Sequence, residues 1–398
     1  MTAPTRRTNG RSPDGRSRPA IGRSPPELHD STGSGNRAMT GVELADVAHT
    51  RQEAESFSMP PLLIIDETER FLDQVGIGSG PIRWDRIGDG HSNINYLLQR
   101  SGHNVVLRRG PRPPYPASAH NMVREARLLQ ALHAKGVPVP RVIAICEDDA
   151  VLGVPFYLME FLDGIVLTDE LPCWAHDPTS RRAVVQSAMD ELASLHALDV
   201  SATALAQFGK TSGYLERQVA LFHTLWGRIT RRELPEFAEV GGWLDRHRPV
   251  SQRLSIVHGD YRLGNLMYYR AAPARACGIL DWEMATLGDP LADLGYFAAT
   301  YSADDRPPTV MDLTPVTCEP GFPTRAELVE YYASRSALDV SHLAWYEAFA
   351  YWKSAVFCEE IFTRWLVEKR PGDLFGPQLR AGVPDLIAAA RSAIDRSR

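Results

Sequence analysis

Two polar clusters, each set at the end of an apolar run, constrain this chain more than any other feature. Residues 254–257 form a mostly apolar run that reads as a short buried strand. It leads directly into His258-Gly259-Asp260-Tyr261-Arg262-Leu263-Gly264-Asn265. A second apolar run, residues 277–280, ends at Asp281. Two strands joined by a tight connection would set Asp260, Asn265 and Asp281 at one end of a sheet. Two carboxylates and an amide are hard oxygen ligands, and they suit Mg²⁺, which takes few protein oxygens and keeps positions for phosphate and water. Taken singly, His-Gly-Asp on a strand end is an ordinary turn, and Asp289-Pro290 an ordinary helix cap. Their order and spacing together carry the constraint.

That order is an Asp, an Asn five positions later, and a second Asp after a strand. It matches the phosphoryl-transfer arrangement, in which the first Asp orients the attacking hydroxyl and the other two hold the metal. Bulk properties are compatible with it. At 398 residues the chain can hold two lobes around a cleft. The hydrophobic share of 44% and charged share of 23% are those of a soluble globular protein. A net charge of −6 does not point to nucleic acid or an anionic membrane, and no apolar run approaches the roughly 20 residues that span a bilayer. The arginines near the N-terminus are not followed by an apolar core, so no secretory signal is read there. Five widely spaced cysteines without a Cys-x-x-Cys read as buried free thiols of a cytoplasmic protein.

Residues 1–55 are rich in Arg, Ser, Pro, Gly and Thr without apolar periodicity and read as a disordered tail. A first lobe, residues 56–160, follows. Its elements are a helix over 62–75, strands over 82–87, 94–99 and 104–109, a helix from a Ser118 cap to Lys135, and strands over 142–145 and 155–159. This is a five-stranded antiparallel sheet with one main helix. The turn Gly88-Asp89-Gly90-His91-Ser92-Asn93 is either a plain hairpin loop or a flap whose N–H groups and Ser92 hydroxyl cover nucleotide phosphates. Strand alternation puts Arg108 with Val106 on one face, and Arg109 with Val105 and Leu107 on the other. Glu125 falls on the apolar face of the following helix, where an acid needs a cation; Arg108 is the natural partner, and snorkelling to water is the alternative. The second lobe, residues 161–398, reads as mainly helical. Its long aromatic helix over 341–367 carries Glu347, Glu359 and Glu360 beside Lys353 and Arg364.

The chain resembles the aminoglycoside phosphotransferase family within the protein-kinase-like fold, an α+β class. The resemblance rests on His258-Gly259-Asp260 through Asn265, on Leu280-Asp281-Trp282-Glu283, and on Gly288-Asp289-Pro290-Leu291-Ala292-Asp293-Leu294. In the first lobe it rests on Gly90-His91-Ser92-Asn93, Leu107-Arg108-Arg109 and residues 153–160, and it covers about residues 60 to 370. The branch that looks most similar is the one resembling kinase domains fused to acyl-CoA dehydrogenases. The resemblance implies transfer of the γ-phosphoryl group of ATP or GTP, with Mg²⁺, to a hydroxyl of a small molecule, a hydroxyacyl compound among the candidates. It implies Asp260 as catalytic base, and Asn265 and Asp281 as metal ligands. Gly90, Ser92 and Asn93 would lie at the phosphate flap, Arg108 on the phosphates and paired with Glu125, Glu160 and Phe161 at adenine, and Glu283 near the metal. Arg108 stands where such kinases have a lysine; it keeps its charge and forks onto phosphate. No Ala-Pro-Glu follows Asp281, so there is no activation segment for a peptide acceptor. The alternative is a nucleotide-binding pseudokinase with a scaffold role, against which the intact Asp260, Asn265 and Asp281 argue.

Overall fold

The computed structural model describes residues 29–30, 46–88, 93–114, 121–201, 204–368 and 373–397. The chain begins with two short strands, β1 (His29–Asp30) and β2 (Val47–Ala48), then α1 (Arg51–Ala54), β3 (Leu63–Ile64) and α2 (Ile65–Gln74). Part of the stretch read as a disordered tail is therefore structured. Val47 and Ala48 are buried, β2 pairs in parallel with β3, and Asp46 takes ion pairs from Arg86 and Arg112 at 3.1 and 2.6 Å. The local composition is polar, and the order comes from contacts made far along the chain.

Next come β4 (Arg83–Ile87), β5 (Ile94–Arg100), β6 (His103–Arg109), α3 (Met122–His133), β7 (Val142–Cys146), α4 (Asp149–Leu152) and β8 (Phe156–Glu160). Strands β4 to β8 form the five-stranded antiparallel sheet in the order β4-β5-β6-β8-β7, and β1 adds a two-residue edge to β4. Asn121 caps α3 by accepting from the Arg124 N–H; the Ser118 expected there lies outside the described residues. The pleat separates the two arginines of β6. Arg109 points away from the cleft and donates to the carbonyls of Gly110, Leu62 and Leu152, stitching the sheet to the N-terminal segment. Arg108 points the other way, toward α3 and the second lobe.

Strand β9 (Gly164–Val166) leads into the second lobe. It contains α5 (Pro178–His196), α6 (Tyr214–Ile229), α7 (Pro235–Arg246), β10 (Ser255–Val257), β11 (Leu266–Tyr269), β12 (Ala276–Ile279), β13 (Thr286–Gly288), α8 (Leu291–Thr300), α9 (Arg325–Ser336), α10 (Leu343–Glu368) and α11 (Phe375–Arg396). Asp177 caps α5 by accepting from Thr179 and Ser180 N–H, and Thr324 and Glu327 form a reciprocal capping box on α9. The expected common sheet for the two polar clusters is not what forms. Strand β10 pairs with β13, whereas β12 pairs with β11, which also pairs with β9. The clusters meet across two small sheets, joined where the Leu280 N–H donates to the Asn265 carbonyl at 2.8 Å.

The aromatic residues of α10 are core: Trp345, Phe349, Trp352 and Phe362 are buried, and Phe237 stacks between Trp226 and Trp352. One large apolar core runs from α3 of the first lobe through the helices of the second, and a smaller one fills the far side of the β4–β8 sheet. Of the cysteines expected to be buried, Cys146 and Cys358 are, but Cys173 and Cys318 are exposed. Among the described residues no helix is long and apolar enough to cross a membrane.

Candidate active site

The His258-Gly259-Asp260 turn is held on every side. Asp293, fully buried on the first turn of α8, accepts from the N–H groups of His258 and Gly259 at 2.7 and 2.8 Å. The same carboxylate accepts from His196 Nε2 at 3.3 Å, and the Tyr332 hydroxyl lies 2.7 Å from His196 Nδ1. A carboxylate can only accept, so Nε2 carries the proton and Tyr332 donates to Nδ1. Burial alone would raise the Asp293 pKa; the hydrogen bond from His196 and the N–H donors of the turn hold it below the usual carboxylate value. His258 is fixed likewise. Its Nε2–H donates to the Leu280 carbonyl at 2.9 Å, its Nδ1 accepts from the Asp260 N–H at 3.2 Å, and its ring lies against Trp282. Gly259 has φ +86°, and a Cβ there would meet Met284 at 3.0 Å, so the turn requires glycine.

This frame presents Asp260 at the cleft, about a fifth exposed. Its Oδ2 and its backbone carbonyl both accept from Asn265 Nδ2, at 2.7 and 2.8 Å. Those bonds turn Asn265 Oδ1, an uncharged oxygen, away from Asp260. Arg262 Nε lies 3.4 Å from Asp260 Oδ1, and its guanidinium lies over Gly264, where a Cβ would have to push it aside. The Tyr296 hydroxyl faces Asp260; burial first, and then the Asp260 charge, keeps that phenol protonated.

Asp281 sits at φ +65°, in the left-handed region, which Asp tolerates better than most residues. Its carboxylate is over a third exposed and accepts from Arg108 Nη2 at 2.6 Å. The same Nη2 lies 3.1 Å from Glu125 Oε1, and Nη1 donates weakly to Asn95 at 3.4 Å. Burial opposes the Arg108 charge, yet Glu125, Tyr157 and Asp281 together push its pKa up. The grouping leaves Arg108 Nε and Glu125 Oε2 buried without a hydrogen bond of normal geometry, although the Tyr157 hydroxyl lies alongside.

Across the lobes, Asn93 Nδ2 donates to Glu283 Oε2 at 2.7 Å. Gly90 and Ser92 lie outside the described residues. Glu160 is tied to Arg141 through its N–H (3.0 Å) and its carboxylate (2.8 Å), and Phe161 is half-buried at the start of the segment joining the lobes. Contacts thus link these residues in series: Asp260 to Asn265, Asn265 to Leu280 beside Asp281, Asp281 to Arg108, and Arg108 to the buried Glu125, while Asn93 meets Glu283 across the lobes. The donor set fits Mg²⁺: Asn265 Oδ1 and the Asp281 carboxylate are hard oxygens on adjoining loops, too few to close an octahedron, which leaves positions for phosphate and water. Sequence reasoning did not single out Asp293 as the anchor of the turn, Arg262 beside Asp260, or Lys353, whose Nζ donates to the Gly259 carbonyl at 2.8 Å. Arg262 and Asp293 both lie within quoted motifs and could have been found from them; Lys353 acts through a long-range contact that carries no local signal.

Residues 83–328, more than half the chain, match the family model described as the phosphotransferase enzyme family. The mouse protein acyl-CoA dehydrogenase family member 10 is 33% identical over 327 residues, covering 80% of this chain and 30% of the mouse protein. The human acyl-CoA dehydrogenase family member 11 is 29% identical, covering 70% of this chain and 36% of the human protein. The chain spans only about a third of the length of these relatives. Among solved structures, a Ralstonia eutropha protein assigned to the aminoglycoside phosphotransferases superposes with a TM-score of 0.68 at 28% identity, over 82% of this chain and 98% of that one. On the matched model, these relatives and the cleft just described, the chain belongs to the phosphotransferase enzyme family.

Proposed function

We propose that the chain transfers the γ-phosphoryl group of ATP or GTP, in the presence of Mg²⁺, to a hydroxyl group of a small molecule. The observation that carries this reading is the Asp260 carboxylate held by Asn265, whose loop is bonded through Leu280 to the loop bearing Asp281, itself paired with Arg108. A scaffold has no need of a carboxylate fixed at its free edge by an amide and an arginine. A related fold, the aminoglycoside phosphotransferase APH(4)-Ia, has been solved as a ternary complex with ADP and hygromycin B, which supports nucleotide use in this architecture.

In this reading Asp260 accepts the acceptor hydroxyl's proton as that oxygen attacks, and Asn265 keeps the carboxylate aimed. The Arg262 guanidinium stands beside Asp260, where negative charge builds on the transferring group. Arg108 binds the nucleotide phosphates, and Glu125 holds it in place. Asn265 and Asp281 would hold Mg²⁺, which when bound neutralises the phosphate oxygens. Asn93, with Gly90 and Ser92, would close over the phosphates, and Glu160 and Phe161 would border the adenine.

The acceptor is better read as an uncharged or anionic hydroxy compound than as a polycation. On α10, which backs the Asp260 turn, Glu359 is buried against Arg232 and Glu347 is paired with Arg396. Two of the three acids that could have met an aminoglycoside are therefore spent. The names of the relatives add weight to a hydroxyacyl acceptor. The test is phosphoryl transfer from MgATP and MgGTP to kanamycin, choline and a short-chain hydroxyacyl-CoA, with Asp260→Ala as control. Turnover with the hydroxyacyl compound, lowered about 10²- to 10⁴-fold in the variant, is the expected result. Nucleotide binding without turnover on any acceptor would instead leave a pseudokinase.

A further inference from the structure

Lys353 is a buried cation close behind the catalytic turn, and the reading above leaves it without a role. It sits on the inner face of α10, 6% exposed, and its Nζ donates to the Gly259 carbonyl at 2.8 Å. The ammonium is ringed by aromatic faces: Tyr296 at 5.4 Å, Phe357 at 5.7 Å and Phe222 at 5.9 Å from the ring centres. A cavity of about 10 Å³, lined by Tyr214, Asp293, Tyr296 and Lys353 among others, adjoins it and has room for roughly one water. Burial pushes the Lys353 pKa down, and the charges of Asp260 and Asp293 pull it back up.

The peptide joining Gly259 to Asp260 thus has a partner on each side. Its N–H is taken by His258 Nδ1, and its carbonyl by Lys353. Asp293 holds the two N–H groups before it. Rotating that peptide would swing the Asp260 side chain off its aim, and the Lys353 hydrogen bond opposes the rotation from the carbonyl side. We infer that Lys353 is a positioning residue that sets the angle at which Asp260 meets the acceptor hydroxyl, and that it links this angle to the packing of α10. The inference rests on the phosphotransferase reading for its kinetic consequence, but not for its structural one.

The experiment uses the full chain carrying Lys353→Met. Two readouts are taken: amide hydrogen exchange of residues 255–266 without ligand, and phosphate release from MgATP with no acceptor added. The expected result is exchange about tenfold faster in that segment alone, with kcat down about 10- to 100-fold and KM for MgATP within about twofold. Unchanged exchange, unchanged kcat, or loosening spread through the whole molecule overturns the inference. So does a rise in KM at constant kcat. If the Met variant does not fold, Lys353→Gln decides on the same criteria, because it keeps a polar group but is one bond too short to reach the carbonyl. If the wild type releases no phosphate without an acceptor, exchange alone decides whether Lys353 holds the turn, and the kinase reading is judged separately by the acceptor assay above.

Discussion

The two walls of the cleft are built to different standards of completion. On the second-lobe wall, the Asp260 turn has its N–H groups, its carbonyl and its imidazole all paired, and the carboxylate behind it, Asp293, accepts three hydrogen bonds. On the first-lobe wall, Arg108 shares one Nη2 between two carboxylates and leaves Nε without a bond, while Glu125 leaves Oε2 without one. Burying unpaired polar atoms is costly, about 1–3 kcal/mol each. A wall that is fully satisfied is a frame. On the first-lobe wall Arg108 keeps an unpaired guanidinium N–H. Under the proposed function, stability then belongs to one side and nucleotide binding to the other, and each variant below tests that division.

The largest effect is expected at the frame. Asp293→Asn places an amide nitrogen against N–H donors in a fully buried site, and stability should fall by about 3 kcal/mol, measured by urea unfolding. The pH dependence follows from the direction of the shift. The folded-state pKa of Asp293 lies below its ordinary value of 3.8. Its contribution is therefore complete above the unfolded value and is lost as pH falls through the lower, folded one. The gap between wild type and Asp293→Asn should be constant near neutrality and should narrow only below about pH 4. A gap that stayed constant below pH 4 would mean that the Asp293 carboxylate is not what holds the turn.

An intermediate effect is expected on the other wall. Arg108→Met removes the partner of Glu125, but burial already pushes the Glu125 pKa up, so that acid can take a proton rather than stay charged and alone. The stability cost should then be about 1–2 kcal/mol, well short of Asp293→Asn. KM for MgATP should rise about 10- to 100-fold, through loss of a charge-assisted contact to phosphate. If Arg108→Met instead unfolds the chain as readily as Asp293→Asn, the two walls are alike and the division above is wrong.

What could be read from the sequence follows the same line. Asp260, Asn265 and Asp281 lie within or just after apolar runs, so a short window reveals them, and the two-residue period separates Arg108 from Arg109 without any tertiary knowledge. Strand pairing is non-local. The sequence suggested one sheet for the two clusters, but β10 finds β13 and β12 finds β11, and neither choice is encoded near the strands that make it. The frame was the hardest part to read. Asp293 reaches back 35 residues to His258, and Lys353 reaches back 94 to Gly259. The structured Asp46–Ala48 stretch was missed for the same reason, since its ion pairs are with Arg86 and Arg112.

The smallest expected effect tests whether the walls are joined at the rim. Asn93 directly precedes β5 and donates to Glu283, two residues beyond Asp281, so this bond ties the start of that strand to the Asp281 loop. A hydrogen bond to a carboxylate contributes about 1.5–3 kcal/mol when fully sequestered, but Glu283 is only half-buried, so less is expected. Asn93→Ala should leave the unfolding midpoint within a few degrees of wild type and raise KM for MgATP up to about fivefold, roughly 1 kcal/mol, with kcat little changed. That pattern would place the bond among the contacts that hold the nucleotide side closed over a frame already built. A loss of stability near that of Asp293→Asn, with KM unmoved, would make Asn93 part of the frame, and the boundary between the walls would then lie on the first-lobe side of the flap rather than across the cleft.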